Sequence, residues 1–574
     1  LAGVLVFWSF GYTIMRGSDL WWHIAGGRWM VDNGTLFVRE PFSFTAEGRW
    51  WLNDAWLSDV IFYLWTDAFG LASLAYWKWL LIVLTWLVVL RFLVRVSEEP
   101  IAAFVAATFG LAVAAPFLDV RPQLYSFLGF AILLDVCWQR RPPLWLPLLF
   151  VVWVNLHAGF LIGLVVLPFL MLPALRAAPQ RWLSLAVLGI GCVLVCGINP
   201  NGFEVVLRPL RYAFDTTSPF RSLGEWKPPF EPGGIQSWLF PYAIGVFAAG
   251  VVAVVVDDLF LSRRRRIDVW AMIGVGVLTL AMSLRSRRFI PFFAIAYAPV
   301  VAYSMALVGR QLLARVPWYA GPAVAAAIGA YWLLPYPQSS YAFDYLTARY
   351  EFPVETCDFI EKNELEGNVF NYYNWGGYLH LCTNGRMRVF IDGRAGTAFR
   401  DETFVDYITV LQQKPGWRAV VDESRAEWFL WPLNVGRQLA DLIATGRWEL
   451  VYRDYKSALL RRSELAPLPP LASTDDSPHR RLSVGWFALL EGRFAEAEES
   501  LRGALELAPH LSPACTNLAR AQAFQGDVVG GMETIRGCDE SFPGQRKREW
   551  YLRFLDALRK RQAAEAEERA GGSR

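Results

Sequence analysis

Long apolar runs dominate the first 335 residues of the chain and give way to mixed patterning after them. They fall at about 1–15, 71–95, 101–117, 122–138, 144–156, 158–175, 182–198, 237–256, 267–284, 289–308 and 318–335. About 20 apolar residues of helix cross a bilayer core, so these runs predict about eleven spans. The run Leu57–Phe69 is shorter and carries Asp59 and Asp67, which predicts an interfacial helix. The first run is also short, as expected of a chain with residues preceding Leu1. After a polar, Tyr-rich exit at 336–352, apolar residues cluster in short strand-like groups at Val369–Tyr372, Arg388–Ile391 and Ala419–Val421. Trp448–Tyr452 and Ser457–Leu460 predict a hairpin around Arg453-Asp454, and Gly376-Gly377 and Gly393 predict tight turns. A Pro/Ser/Asp-rich linker at 466–480 leads into a helical pattern over 481–574.

Composition agrees with this division. The 574 residues are 55% hydrophobic and 15% aromatic, with 27 Trp, and the mean hydropathy is +0.29. These values describe a polytopic α-helical membrane protein with soluble parts. The net charge of +3 is too small to argue for a nucleic-acid partner. Basic residues set the expected orientation: Arg91/Arg95, Arg140/Arg141, Arg176/Arg181, Arg263–Arg266 and Arg310/Arg315 occupy alternate short loops. By the positive-inside rule these loops are cytoplasmic. The loop 16–70, the turn 118–121, the loop 198–236 and everything after 336 are then expected outside, with the N-terminus cytoplasmic. An inner bacterial membrane is the expected location.

The last hundred residues repeat with a period of 34. Gly492 aligns with Gly526, Ala497 with Gly531 and Pro509 with Pro543, while Gly485/Ala519 and Ala504/Cys538 take small-residue positions. This resembles the tetratricopeptide repeat, in which small residues let paired helices approach. Two repeats bury little core alone, so a charged capping helix at about 546–568 and docking onto a neighbouring domain or a protein partner are expected. Cys357/Cys382 and Cys515/Cys538 share the expected outer compartment, where either pair is a candidate disulfide. Cys137, Cys192 and Cys196 lie in spans as small apolar residues.

The candidate chemistry is one-sided. Asp19-Leu20-Trp21-Trp22-His23 follows the first run, with the tryptophans expected at headgroup level. The outer side also carries Asp54, Asp119, Arg121, Gln123, Asn155, His157, Asn199, Asn201, Glu225, Arg285, Arg287 and Arg288. Ionisable residues at membrane depth are costly and mark function. Arg285, Arg287 and Arg288 stand where the positive-inside rule expects few, and guanidinium forks bind phosphate oxygens bidentately; headgroup snorkelling is the alternative. Asp19 is a candidate general base or metal ligand, or a helix cap. Asp119 is a candidate site residue or a structural partner of Arg121. His157 and His23 are acid/base candidates, and Asp54 binds substrate or caps the interfacial helix. Asp135, Asp257 and Asp258 are expected to be solvated.

These residues resemble the GT-C glycosyltransferases. Asp19-Leu-Trp-Trp-His-Ile followed by Arg28 to Gly34 is similar to a stretch of the oligosaccharyltransferase catalytic subunit, where an outer-loop acid carries the chemistry. The resemblance implies a catalytic or metal-binding role for Asp19, with Asp119 as second ligand of a divalent cation such as Mg or Mn. Tyr372-Tyr373-Asn374-Trp375-Gly376-Gly377-Tyr378 resembles the family's WWDYG segment, with Phe390-Ile391-Asp392-Gly393-Arg394 following; this implies acceptor contacts for Tyr373 and Trp375. The layout becomes a GT-C-like membrane domain over 1–335, an extracytoplasmic α/β domain over 336–465 and helical repeats over 481–574.

The expected function is transfer of a sugar from a polyprenyl-phosphate-linked donor to a protein or glycan acceptor at the outer face. Asp19, His157 and His23 would be catalytic. Arg121, Arg285, Arg287, Arg288, Asp54, Gln123, Tyr373 and Trp375 would bind substrate. The expected partners are the lipid-linked donor, membrane lipids, the acceptor, and a protein held by the repeats. Two alternatives remain: a non-enzymatic scaffold for an envelope complex, and a lipid-linked glycan ligase or transporter.

Overall fold

The computed structural model describes residues 2–11, 17–313, 317, 319–320, 323–324, 326–327 and 351–563, except 37, 139–141, 216, 262–266, 510, 542–551 and 561. The chain divides into two compact units. One comprises Leu1–Glu40, Gly48–Ala330 and Arg394–Phe404; the other comprises Pro41–Glu47, Tyr331–Gly393 and Val405–Arg574.

The first unit is helical. Among the described residues seven helices are long and apolar enough to cross a membrane: Leu71–Ser97, Pro100–Phe117, Phe160–Ala177, Pro179–Gly197, Phe240–Phe260, Ile267–Arg285 and Arg287–Gly309. Gln123–Cys137 and Leu146–Leu156 are apolar helices below spanning length, so the expected eleven spans are not all met. The described helix of the first run is Ala2–Ser9. The run 318–335 lies mostly outside the described residues, as do Arg140/Arg141, Arg263–Arg266, Arg315 and most of the exit at 336–352. The segment expected to be interfacial is a helix, Trp56–Phe69.

Two expectations about polar and aromatic residues are corrected. Trp21 and Trp22 are buried inside the unit rather than placed as headgroup anchors. Asp135 is fully buried, accepting from Arg95 at 2.6 Å and from Arg91. Both arginines leave one face of Leu71–Ser97, one turn apart, and clamp it to Gln123–Cys137. Asp258 is likewise buried and accepts from Trp270 Nε1 at 2.7 Å. A buried carboxylate needs such donors, because its desolvation otherwise costs several kcal/mol.

The second unit holds a five-stranded sheet of β1 (Gly367–Asn371), β2 (Met387–Val389), β3 (Trp428–Pro432), β4 (Trp448–Arg453) and β5 (Ser457–Arg462), in the order β2-β1-β3-β5-β4. β1 pairs in parallel with β2 and β3, whereas β5 runs antiparallel to β3 and β4. Ala419–Val421, expected as a strand, lies in the helix Trp417–Glu423. Its buried residues Trp417 and Val421 are four apart, which is helical spacing. The third strand is instead Trp428–Pro432, buried along its whole length. Gly376-Gly377 opens a helix, Gly376–Cys382, rather than a turn. That helix carries His380, whose Nε2 lies 2.8 Å from Asp392 Oδ2 with both side chains fully buried.

The helices Pro478–Leu490, Phe494–Leu507, Ser512–Phe524 and Val528–Ser541 follow. A Cβ at Gly485 would lie 2.6 Å from Leu501 Cγ, and one at Gly531 would lie 2.6 Å from Ala519 O. Small residues there allow the close helix approach that the period suggested. Residues 552–560 are helical and Leu555 packs against Ala519, Ala523, Val528 and Ile535. The helices are clipped to the α/β part by Glu355. Its buried carboxylate accepts from Tyr452 Oη at 2.6 Å, Thr474 Oγ1 at 3.3 Å and Arg480 Nη1 at 3.2 Å, and from the Ser483 hydroxyl. Cys357–Cys382 and Cys515–Cys538 are disulfides with Cα atoms 6.0 and 6.4 Å apart.

Candidate functional site

The helix Asp19–Asn33 carries the first candidates. Gly34 ends it in the left-handed region at φ 60°, which glycine adopts without a Cβ clash. Asp19 sits in the first turn rather than at the cap, which is Ser18. A carboxylate there is favoured by the helix dipole. His23 follows one turn later, and Gly26 and Gly27 follow His23. A Cβ at Gly27 would lie 2.1 Å from the backbone oxygen of Asp59, so the glycine lets Trp56–Phe69 approach at backbone contact. That approach brings Asp59 Oδ1 within 2.5 Å of His23 Nδ1. Asp59 Oδ2 accepts from Asn53 Nδ2 at 2.7 Å. Burial pushes the Asp59 carboxyl up, and the His23 and Asn53 contacts act against that rise.

Arg121 is the centre of the charged cluster. Its Nη1 lies 3.3 Å from Asp19 Oδ2 and 3.1 Å from Glu225 Oε2. Asp119 adds a third negative charge around it. A Cβ at Gly17 would meet Asp119 Oδ2 at 3.0 Å and Arg121 Nε at 3.1 Å. Desolvation works against the Arg121 charge, but the three carboxylates outweigh it and hold the guanidinium firmly protonated. Arg288 joins through Glu225, its Nη1 3.5 Å from Oε1, and lies over the Trp226 ring at 4.8 Å. Burial pushes Glu225 up; Arg288 and Arg121 overcome that and leave its carboxyl below the usual range. Arg121 Nε is buried and has no acceptor among the described residues.

His157 occupies the turn between Leu146–Leu156 and Phe160–Ala177. Its Nδ1 accepts from Gly159 N–H at 3.1 Å and lies 2.7 Å from Ser126 Oγ, which itself accepts from Trp153 Nε1 at 2.8 Å. Desolvation first, then Arg288 and His23, hold the imidazole well below its usual pKa, so the ring is neutral. Asn155 ties this turn to its neighbours, accepting from Trp56 Nε1 at 2.7 Å and Asn199 Nδ2 at 3.1 Å. Ser58 Oγ donates to Leu156 O at 2.6 Å, and Asn201 Nδ2 donates to Asn53 O at 2.9 Å. Thus Asn155, Asn199 and Asn201, which stood out in the sequence, fix the 50–59 segment against the His157 turn. Asp54 lies in that segment, half-buried. Desolvation raises its carboxyl, while Arg288 and His23 pull it down.

Gly159 tests the geometry. A Cβ there would lie 2.3 Å from Ser126 Oγ, so Gly159→Ala must displace the partner of His157. The expected cost is about 1–3 kcal/mol, as for overpacking a close contact. Thermal melting of the purified protein checks it, and adding Ser126→Ala should recover little, because the Ser126 Cβ would itself lie 2.6 Å from the new methyl. An unchanged melting temperature in the single variant would contradict this contact.

Several expected site residues are placed elsewhere. Arg287 is fully buried and donates to the carbonyls of Lys227, Pro228, Glu231, Gly233 and Ile235. Its fork is spent on the 227–235 loop and has no edge left for phosphate. Arg285 is exposed at the end of Ile267–Arg285, outside the cluster. Gln123 Nε2 donates to Phe117 O at 3.3 Å, a helix-entry contact. In the second unit Trp375 is core, 2% exposed, with its Nε1 donating to Glu351 O at 3.3 Å, so its ring is no acceptor platform. Tyr373 is half-buried beside Tyr407, their ring centroids 5.8 Å apart.

A divalent cation does not fit Asp19 and Asp119 as they stand. Asp19 pairs with Arg121 and Asp119 acts on the same guanidinium electrostatically, so its positive charge stands beside both carboxylates. Among the described residues no group of three or more His, Cys, Asp or Glu side chains could hold a metal. No step below is routed through one.

Sequence reasoning missed Asp59 and Ser126 and left Glu225 outside the site. The Gly26-Gly27 pair was the available signal for Asp59, since it marks where another backbone must approach.

The similarity to known structures lies with oligosaccharyltransferases, at low identity. Three of the similar solved structures are of the Archaeoglobus fulgidus enzyme. The apo crystal structure is 13% identical with a TM-score of 0.49, covering 75% of this chain and 69% of that one. A form tethered to an acceptor peptide containing the NVT sequon is 12% identical with a TM-score of 0.49, over 75% and 68%. The archaeal oligosaccharyltransferase AglB in complex with an inhibitory peptide and a dolichol-phosphate is 12% identical with a TM-score of 0.49, over 91% and 85%. No protein-family model and no curated protein matches the chain.

Proposed function

We propose that the chain is a membrane glycosyltransferase that takes a sugar from a polyprenyl-phosphate or pyrophosphate carrier and passes it to an acceptor at the outer face. The reading is carried by the Arg121 guanidinium. It is fixed between Asp19 and Glu225, with its buried Nε lacking an acceptor among the described residues. A buried donor without a partner is uncommon in a finished fold, and a phosphate oxygen of the donor would satisfy it. Arg288 adds a second guanidinium on the far side of Glu225. Together they stabilise the negative charge that develops on the leaving phosphate, where electrostatic catalysis acts most strongly. Asp19, beside Arg121 at a helix N-terminus, orients the acceptor nucleophile. Asp54 is a further polar contact of the same site. The repeat-like helices would be a tetratricopeptide-type surface for a protein partner.

Mass spectrometry of lipid co-purifying with the full chain tests this. A polyprenyl phosphate or its sugar-bearing form should be retained, and Arg121→Gln and Arg288→Gln should each lower retention at least about tenfold. Equal retention when both arginines are replaced in a normally folded chain would remove the reading.

A further inference from the structure

Two imidazoles near this site use their nitrogens in opposite senses. His23 presents Nδ1 to Asp59 Oδ1 at 2.5 Å, and the other oxygen of Asp59 already accepts from Asn53. An ionised Asp59 can only accept, and with it ionised the imidazole proton belongs on Nδ1 and Nε2 carries a bare lone pair. His157 is the reverse. Its Nδ1 receives the Gly159 N–H, and a nitrogen that receives an N–H carries no proton. Ser126 reinforces this: its oxygen accepts from Trp153 Nε1, and its hydroxyl hydrogen is left for His157 Nδ1. The proton of His157 is therefore on Nε2. Arg288 and His23 both act electrostatically on His157, so the two rings share one neighbourhood. These protonation states are assigned by the hydrogen-bond network.

We propose that Asp59 and the Ser126–Gly159 pair lock His23 and His157 in opposite tautomers, so that His23 Nε2 takes the acceptor's proton while His157 Nε2–H donates a hydrogen bond to the leaving phosphate. The assignment of roles rests on the glycosyltransferase reading; the tautomers do not. In the step, the acceptor oxygen or nitrogen bonds to the anomeric carbon of the sugar as the bond from that carbon to the phosphate oxygen breaks. The electron pair leaves with the phosphate, where Arg121, Arg288 and His157 Nε2–H meet it. The acceptor's proton moves to His23 Nε2, and the resulting imidazolium is held by Asp59. Asp19, about 6 Å along the same helix face, orients the nucleophile between the two groups. Asp59 is a positioning residue acting through His23, as Ser126 is through His157.

The first test needs no substrate. The full chain in lipid nanodiscs, labelled with imidazole-¹⁵N histidine, contains five histidines; His23→Gln and His157→Gln assign the two signals sets by their loss. At about pH 7.5, above the ordinary histidine pKa, His23 should show a protonated Nδ1 and a bare Nε2, and His157 the opposite pattern. Two rings in the same tautomer, or a His157 protonated at both nitrogens, would overturn the proposal. Asp59→Asn should redistribute the His23 proton and leave the His157 signals in place. The second test is sugar transfer from a short-chain polyprenyl-phosphate-sugar. His23→Gln should lower the rate about 10²–10⁴-fold, and Asp59→Asn should lower kcat while KM for the donor stays. His157→Gln should cost about 10²–10³-fold. Opposite tautomers with undiminished transfer in His23→Gln would overturn the roles while leaving glycosyl transfer standing. Absence of transfer in the wild-type chain would count against the glycosyltransferase reading and against these roles, with the tautomers judged by the spectra alone.

Discussion

Asp19→Ala should lower sugar transfer on the order of 10²-fold, the cost of losing the group that orients a nucleophile. The folded chain should survive the change. Asp19 and Arg121 keep 22% and 19% of their side-chain surface exposed, and Arg121 retains Glu225 at 3.1 Å. A partly solvated ion pair contributes little to stability, so the melting temperature should move by only a few degrees. Asp19→Asn keeps a hydrogen-bond acceptor beside Arg121 but removes the charge, and should be nearly as inactive. The outcome also separates the competing readings. A transporter or ligase that uses only the arginines would keep working without Asp19 and fail without Arg121. A scaffold would be indifferent to both. Transfer at wild-type rate in a well-folded Asp19→Ala chain would remove Asp19 from the mechanism.

Arg287→Met should be among the most destabilising single substitutions in the chain. The side chain has no exposed surface and serves five backbone carbonyls between Lys227 and Ile235. Methionine fills part of the volume but leaves the Gly233 and Ile235 carbonyls without the side-chain donor, while Lys227, Pro228 and Glu231 keep one other donor each, from Arg287 N–H, Glu231 N–H and Gln236 Nε2. Loss of one member of a buried, fully used charged network costs about 3–5 kcal/mol. Thermal or denaturant unfolding in detergent measures it, and Arg287→Lys should recover little, because an ammonium cannot reproduce the planar fork. Activity should fall as well, since the loop held by Arg287 continues from Glu225, whose backbone oxygen accepts from Ser286 Oγ at 3.1 Å. A stability loss below about 1 kcal/mol, the value of an ordinary hydrogen bond, would contradict this role.

The parts of the fold that sequence made legible are those whose signal is local. Long apolar runs give the spanning helices, and the Trp448–Ser457 region gives a hairpin because both strands lie within a few residues of their turn. The repeat period anticipates the close contacts at Gly485 and Gly531. What escaped depends on distant partners. Asp59 reads as a charge on an amphipathic helix until His23, 36 residues earlier, is packed against it. Glu225 becomes part of the site through Arg121, 104 residues away, and through Arg288. Conversely, Arg287 and Arg288 are adjacent in sequence and look alike, yet one is spent on a loop and the other faces Glu225. Trp428–Pro432 was missed as a strand because a fully buried strand has no alternation to reveal it. Asp135 looked solvated because its two arginines belong to another helix.

The Glu355 clip bears on how the C-terminal helices present their surface. Residues 466–480 read from sequence as a loose connector, which would let the helices roam through a volume set by chain length. With Tyr452, Thr474, Arg480 and Ser483 all gathered on one buried carboxylate, the helices are instead seated on the sheet they follow. Were a protein to dock on these helices, it would be delivered in one orientation, its local concentration fixed by rigid geometry rather than by the statistics of a tether.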